Sequence, residues 1–163
     1  MSPENEGEPL INKNQSLQGY YTALESRVGY KLVLGGTRHF GFYAPGTYWP
    51  FPIGKALRAM EDHLIGTLDL KTGSDVLDAG CGVGHVAMHL GKKGYHVQGI
   101  DVVDHHLVKA RRNIEAEALQ DMVKVAKGDY HHISFADNSF DGVYTSETFV
   151  HATEPEGTFE LKL

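Results

Sequence analysis

The chain of 163 residues has a single cysteine, Cys81. One thiol excludes a disulfide framework and a cysteine-rich zinc site. No run approaches 18 consecutive apolar residues, so no segment reads as a membrane-spanning helix. Positive charge is also scarce. Fifteen Lys and Arg stand against 21 Asp and Glu, a formal net charge of -6, which does not suit a nucleic-acid-binding surface. The start of the chain is polar and acidic, unlike a secretory signal or a basic transit peptide, so the expected location is cytoplasmic. No internal repeat is present. What the chain does have is 41% hydrophobic and 22% charged residues, enough for one buried core.

Residues 1–15 carry three Glu, three Asn and two Pro, little of it able to be buried, and read as a disordered tail. From Ser16, a candidate N-cap, Leu17, Tyr20, Tyr21, Leu24, Val28 and Leu32 fall at helical spacing up to Gly35-Gly36. Thr37 to Pro52 reads as a loop by its Gly and Pro content, yet it holds six of the 16 aromatic residues. It serves either as packing for the N-terminal helices or as an apolar lid over a substrate. Ile53, Leu57, Met60, Leu64 and Leu68 then mark a second helix behind Pro52. Residues 16–70 thus form an N-terminal helical extension ahead of a domain at 71–163.

That domain has a different texture. Asp75 to Gly80, His96 to Asp101, Val123 to Ala126 and Phe140 to Thr145 read as four short strands. Between them lie two helical faces, Val83, Val86, Ala87 and Leu90, then Leu107, Ala110, Ile114 and Ala118 with Asp104 as the expected cap. Alternating strands and helices imply an α/β fold with a parallel sheet.

The most informative stretch is Asp78-Ala-Gly80-Cys-Gly82-Val-Gly84, at a strand-to-helix turn. Glycines there let a ligand lie against bare main chain beside the next helix's amides. Asp101 ends the second strand, 21 residues after Gly80, where a carboxylate can accept both hydroxyls of a ribose. Asp129 follows the third strand and could reach the same edge of the sheet. A dinucleotide fingerprint would need glycine where His85 stands, and no P-loop Gly-Lys-Ser/Thr is present. The loop has no Lys or Arg, and Asp78 precedes it, so a pyrophosphate would meet little compensating charge. S-adenosylmethionine, with an adenosine, a carboxylate and positive ammonium and sulfonium groups, suits the loop better. The bland alternative is a tight turn without a ligand, with Asp78 as a strand-end capping carboxylate.

These segments resemble the class I S-adenosylmethionine-dependent methyltransferases. Val76 to Gly84 is similar to their first motif, Ile100-Asp101 to the second, Gly128-Asp129 to the adenine-contacting motif, and Phe140 to Glu147 to the fourth-strand motif. His39 to Tyr43 and Glu147-Thr-Phe-Val-His-Ala152 are similar to the subgroup of sterol 24-C-methyltransferases and related small-molecule enzymes. The resemblance spans about residues 17–155. It implies a Rossmann-like parallel sheet of strand order 3-2-1-4, with the later strands of the family missing. It implies that Gly80, Cys81, Gly82 and Gly84 line the methionine end and that Asp78 orients the ammonium. Asp101 and Val102 would meet the ribose, and Asp129 and Tyr130 the adenine. Methyl transfer is an in-line displacement that needs chiefly alignment. Glu147 and His151 are the candidate bases should the acceptor arrive protonated, although a surface or loop role also accounts for His151.

Two functions follow from the resemblance. One is a methyltransferase acting on an apolar small molecule, sterol-like or a secondary metabolite. The other is an inactive, truncated relative serving as a cofactor-binding or partner-binding subunit. A sheet ending at its fourth strand implies an open edge, covered by a second copy or a partner chain. The remaining features read plainly. His105-His106 and His131-His132 lack a metal-ligand pattern and are expected as solvated surface residues, with no metal bound. Cys81 is expected as a small packing residue, and Lys109, Arg111 and Arg112 as a solvated face.

Overall fold

A computed structural model describes residues 39–49 and 51–148, and the statements below concern these residues. The expected tail, the helix from Ser16 and His151 lie outside them. Four strands form one sheet: β1 (Asp75–Ala79), β2 (His96–Asp101), β3 (Val123–Lys127) and β4 (Gly142–Tyr144). Three helices accompany them: α1 (Ile53–Leu68), α2 (His85–Lys92) and α3 (Asp104–Ala116). The order is β3-β2-β1-β4 and every pairing is parallel, the arrangement the sequence implied. Among the described residues β4 has no strand on its outer side.

Val76, Leu77, Asp78 and Ala79 of β1 are all buried. An unbroken buried run marks a strand covered on both faces. Successive side chains point to opposite faces, so β1 serves two cores. Val76 packs with Ala87, Met88 and Leu90 of α2 and Ile114 of α3. Leu77 and Ala79 pack with Ile100, Tyr130, Phe135 and Phe140 on the other side. Burying each large apolar side chain is worth about 1.5–3 kcal/mol. At the start of β4, Asp141 Oδ2 accepts the Asp75 N–H and the Asp141 N–H donates to the Asp75 carbonyl, both at 2.8 Å.

Two local expectations change. The N-cap of α3 is Val103, with no side-chain cap, and Asp104 is the first helical residue. The Asp104 carboxylate instead pairs with Lys127 at 3.1 Å across to β3. In α1 the buried positions are Ala56, Leu57 and Glu61, so the stripe of expected apolar residues has a carboxylate at its centre.

Glu61 is 1% exposed and holds three elements together. His39 Nε2 lies 3.1 Å from its Oε1, Arg58 2.6 Å from Oε2 and His89 of α2 3.4 Å from Oε2. His39 Nδ1 also meets the Phe40 carbonyl at 3.0 Å. The Phe42 N–H donates to the Ala56 carbonyl at 2.9 Å, and the Phe42 ring stacks on His63. The aromatic segment is therefore bolted to α1 at its start, while Phe40, Tyr48, Trp49 and Phe51 remain exposed. Burial opposes the charged form of His39. Glu61 and the Phe40 carbonyl outweigh it and hold the imidazole above its ordinary 6.5.

A group whose folded pKa is raised stabilises fully below its unfolded value, and that contribution fades as pH rises through the folded one. Glu61→Ala is expected to cost about 3–5 kcal/mol by stranding buried partners. The loss should be larger at pH 6 than at pH 9, because neutral His39 no longer needs the carboxylate. Denaturant midpoints at the two pH values check this, and an equal or larger loss at pH 9 contradicts it.

Candidate cofactor site

The site lies where the carboxyl ends of β1, β2 and β4 meet the turn into α2. Gly80 and Gly82 have φ of 95° and 54°, the left-handed region that side chains disfavour. They differ in surroundings. A Cβ at Gly80 would stand 2.5–2.7 Å from side-chain atoms of Thr148, whereas one at Gly82 would meet nothing within 4 Å. Gly80 is a sealed contact and Gly82 opens onto space. The loop is clamped to β2: the Gly80 and Cys81 N–H groups both donate to the Ile100 carbonyl at 2.9 Å, and the Gly82 N–H donates to Asp101 Oδ2 at 2.8 Å.

Three buried carboxylates, Asp78, Asp101 and Asp129, stand at the ends of successive strands. Asp101 Oδ1 accepts the Val103 N–H at 2.8 Å and lies 3.3 Å from His106 Nδ1. Two oxygens with several acceptor sites still have capacity for further donors such as ribose hydroxyls. Asp129 Oδ1 accepts the His131 N–H at 3.0 Å and meets His131 Nδ1 at 2.8 Å. Asp78 differs from both. Its Oδ2 is buried without a hydrogen-bond partner. Burial pushes its pKa up to about 7, the Tyr144 hydroxyl draws it down and Asp101 adds to the rise. A buried, under-satisfied carboxylate next to an open glycine turn is what a ligand ammonium would complete. The residues present therefore fit S-adenosylmethionine, and the absence of Lys and Arg from the loop is consistent with that.

The other candidates fall in different places. Cys81 is buried, burial drives its thiol well above the ordinary value, and its side chain packs against Gly99. Val102 is partly buried just after β2. Tyr130 is buried, and its hydroxyl donates to the Thr148 carbonyl at 3.1 Å. Glu147 is exposed at φ 58°, next to the site but not enclosed by it. The histidine pairs split, contrary to the surface expectation. His106 and the His131 side chain are buried against Asp101 and Asp129, and only His132 is exposed. A carboxylate two or five residues away captures each ring, which spacing on a single element did not reveal. Among the described residues no group of three His, Cys, Asp or Glu is placed to hold a metal ion.

Two residues were missed. Thr148 covers Gly80, donates to the Ala79 carbonyl at 3.1 Å and hydrogen-bonds Thr145. Tyr144 lies opposite Asp78 on the neighbouring strand. Neither carries a local signal, because each depends on how β4 registers against β1.

A family described as "Methyltransferase domain" matches residues 76–160, more than half of the chain. The chain belongs to this methyltransferase family. It is 46% identical over 144 residues, 87% of its length, to the S-adenosyl-L-methionine-dependent Diels-Alderase iccD of Talaromyces variabilis. It is 36% identical over 132 residues, 80% of its length, to the sterol 24-C-methyltransferase erg6 of Aspergillus fumigatus. Its fold matches the crystal structure of the 4+2 cyclase SpnF with a TM-score of 0.74 at 23% identity, covering 91% of this chain. This family member spans 49% of iccD, 34% of erg6 and 54% of the SpnF chain.

The two glycines of the turn can be told apart by substitution. Gly80→Ala combines a disfavoured φ with a collision against Thr148 and should cost roughly 2–4 kcal/mol. Gly82→Ala carries only the backbone penalty, about 1 kcal/mol. Urea unfolding of both variants measures the difference, and equal costs would refute the sealed contact at Gly80.

Proposed function

We propose that this chain carries the S-adenosylmethionine-binding part of a small-molecule enzyme that folds an apolar, unsaturated substrate for a Diels-Alder-type cyclisation. One observation carries this reading: the identity to iccD exceeds that to erg6 by ten percentage points (46 against 36) over a longer stretch. A cycloaddition forms two carbon–carbon bonds without moving a proton, so it needs no general base. It needs diene and dienophile held together and away from water, an advantage of about 7–11 kcal/mol at best. The exposed Phe40, Tyr48, Trp49 and Phe51 supply apolar faces for such a substrate. S-adenosylmethionine, when bound, would supply a fixed positive charge to the site. Gly80, Gly82 and Gly84 would flank its methionine end and Asp78 its ammonium. Asp101 and Val102 would hold the ribose, and Asp129 and Tyr130 the adenine.

The relation to a sterol 24-C-methyltransferase favours a second reading, methyl transfer to an apolar sterol-like or secondary-metabolite acceptor. Glu147 or His151 would then take any proton the acceptor must lose.

Calorimetric titration of the folded chain with S-adenosylmethionine tests the common ground. Binding is expected, and Asp101→Ala should weaken it at least about tenfold by removing charge-assisted hydrogen bonds. Incubation with methyl-labelled cofactor and a panel of apolar polyenes separates the two chemistries. An isomeric product with the cofactor unconsumed supports cyclisation. A heavier, labelled product supports methyl transfer. Binding with no product supports the cofactor-binding subunit.

A further inference from the structure

Asp78 of β1 and Tyr144 of β4 are in register on adjacent parallel strands. Both are more than nine-tenths buried, at 2% and 5% exposure. The Tyr144 hydroxyl faces the Asp78 carboxylate and favours its charged form, yet Asp78 Oδ2 has no well-formed hydrogen bond. Leaving such a group unsatisfied costs about 1–3 kcal/mol, so the carboxylate calls for a ligand that completes it. The surrounding charge identifies that ligand. The titratable groups facing the pair are Asp101 from β2, Cys81 from the glycine turn and Glu61 from α1, the last already paired with Arg58 and His39. A carboxylate or phosphate would be repelled. An ammonium offers three donors and no acceptor, enough for both oxygens at once.

We infer that Tyr144 is a positioning residue for the amino-acid end of S-adenosylmethionine, its hydroxyl holding the Asp78 carboxylate ready for the ligand's ammonium group. This rests on the cofactor reading above and adds a residue to it.

The sign of the effect follows from the chemistry. Near pH 7 Asp78 is close to its own pKa, and the Tyr144 hydroxyl favours the charged form. Below that pH a neutral acid faces the ammonium and binding weakens. Above about 7.7–8.0 the ligand's α-amino group loses its proton and binding weakens again. Affinity against pH is therefore bell-shaped, with Asp78 on the acid limb and the ligand on the alkaline limb. Tyr144→Phe keeps the ring that fills the core and removes only the hydroxyl. It should move the acid limb to higher pH, lowering affinity there about tenfold, and leave the alkaline limb in place.

The experiment is calorimetric titration of the full chain with S-adenosylmethionine from pH 5.5 to 9, for the wild type, Tyr144→Phe and Asp78→Asn. Thermal unfolding confirms that each variant is folded. In the wild type, binding near pH 7 should release a fraction of a proton, read from buffers of different ionisation enthalpy. Asp78→Asn should lose the acid limb, and Tyr144→Phe should shift it. Profiles of the wild type and Tyr144→Phe that superimpose overturn the role of Tyr144 while leaving the cofactor reading intact. An acid limb that persists in Asp78→Asn assigns the titration to another group and overturns the pair. A folded wild type that binds nothing at any pH overturns the cofactor reading and this inference with it.

Discussion

The Ile100 carbonyl accepts the amides of Gly80 and Cys81, and the next residue, Asp101, accepts the amide of Gly82. Three consecutive donors of the glycine turn are thus held by two consecutive residues at the end of β2. The turn can leave β1 sharply only because its amides are satisfied from the neighbouring strand. The same carboxylate meets the Val103 amide and His106, which fixes the start of α3. Loop, strand end and helix start form one unit, so Asp101 is a structural clamp as well as a candidate ribose ligand.

Buried charge is distributed unevenly around this unit. Glu61 sits among His39, Arg58 and His89, and its burial is matched by the Arg58 guanidinium and two imidazoles. Asp101 and Asp129 are matched by backbone amides and a histidine each. Asp78 has neither, and burial drives its pKa up to about 7. In a low-dielectric interior an uncompensated carboxylate is costly. A cationic ligand, as proposed for this site, would compensate it at the mouth of the open glycine turn. Tyr144, in register with it on β4, belongs to the same account.

Much of the sheet was legible in the residues. His96–Asp101 is the strand that the apolar run and the carboxylate at its end marked out, and α1 begins behind Pro52 as its spacing implied. The glycine turn and its partner Asp101 were legible for the same reason: backbone geometry and strand ends leave local signatures. The aromatic segment was only half legible. Its content implied packing or a lid, and the chain does some of each, anchoring His39 and Phe42 while exposing Tyr48 and Trp49. Glu61, His106 and His131 were not legible, because a polar residue on an apolar face reads as surface until its partners from other elements are known.

By itself the sequence determined the fold class, the strand order through its family resemblance, and the residue types at the turn. These follow from periodicity, from the backbone freedom of glycine, and from carboxylates placed at strand ends. Only the tertiary structure decided which polar groups are satisfied. The capture of Asp101 by the turn, the covering of Gly80 by Thr148 and the pairing of Asp78 with Tyr144 all join residues far apart in the chain. Whether a buried group is matched or left for a ligand depends on the register between strands, and no local pattern encodes that register.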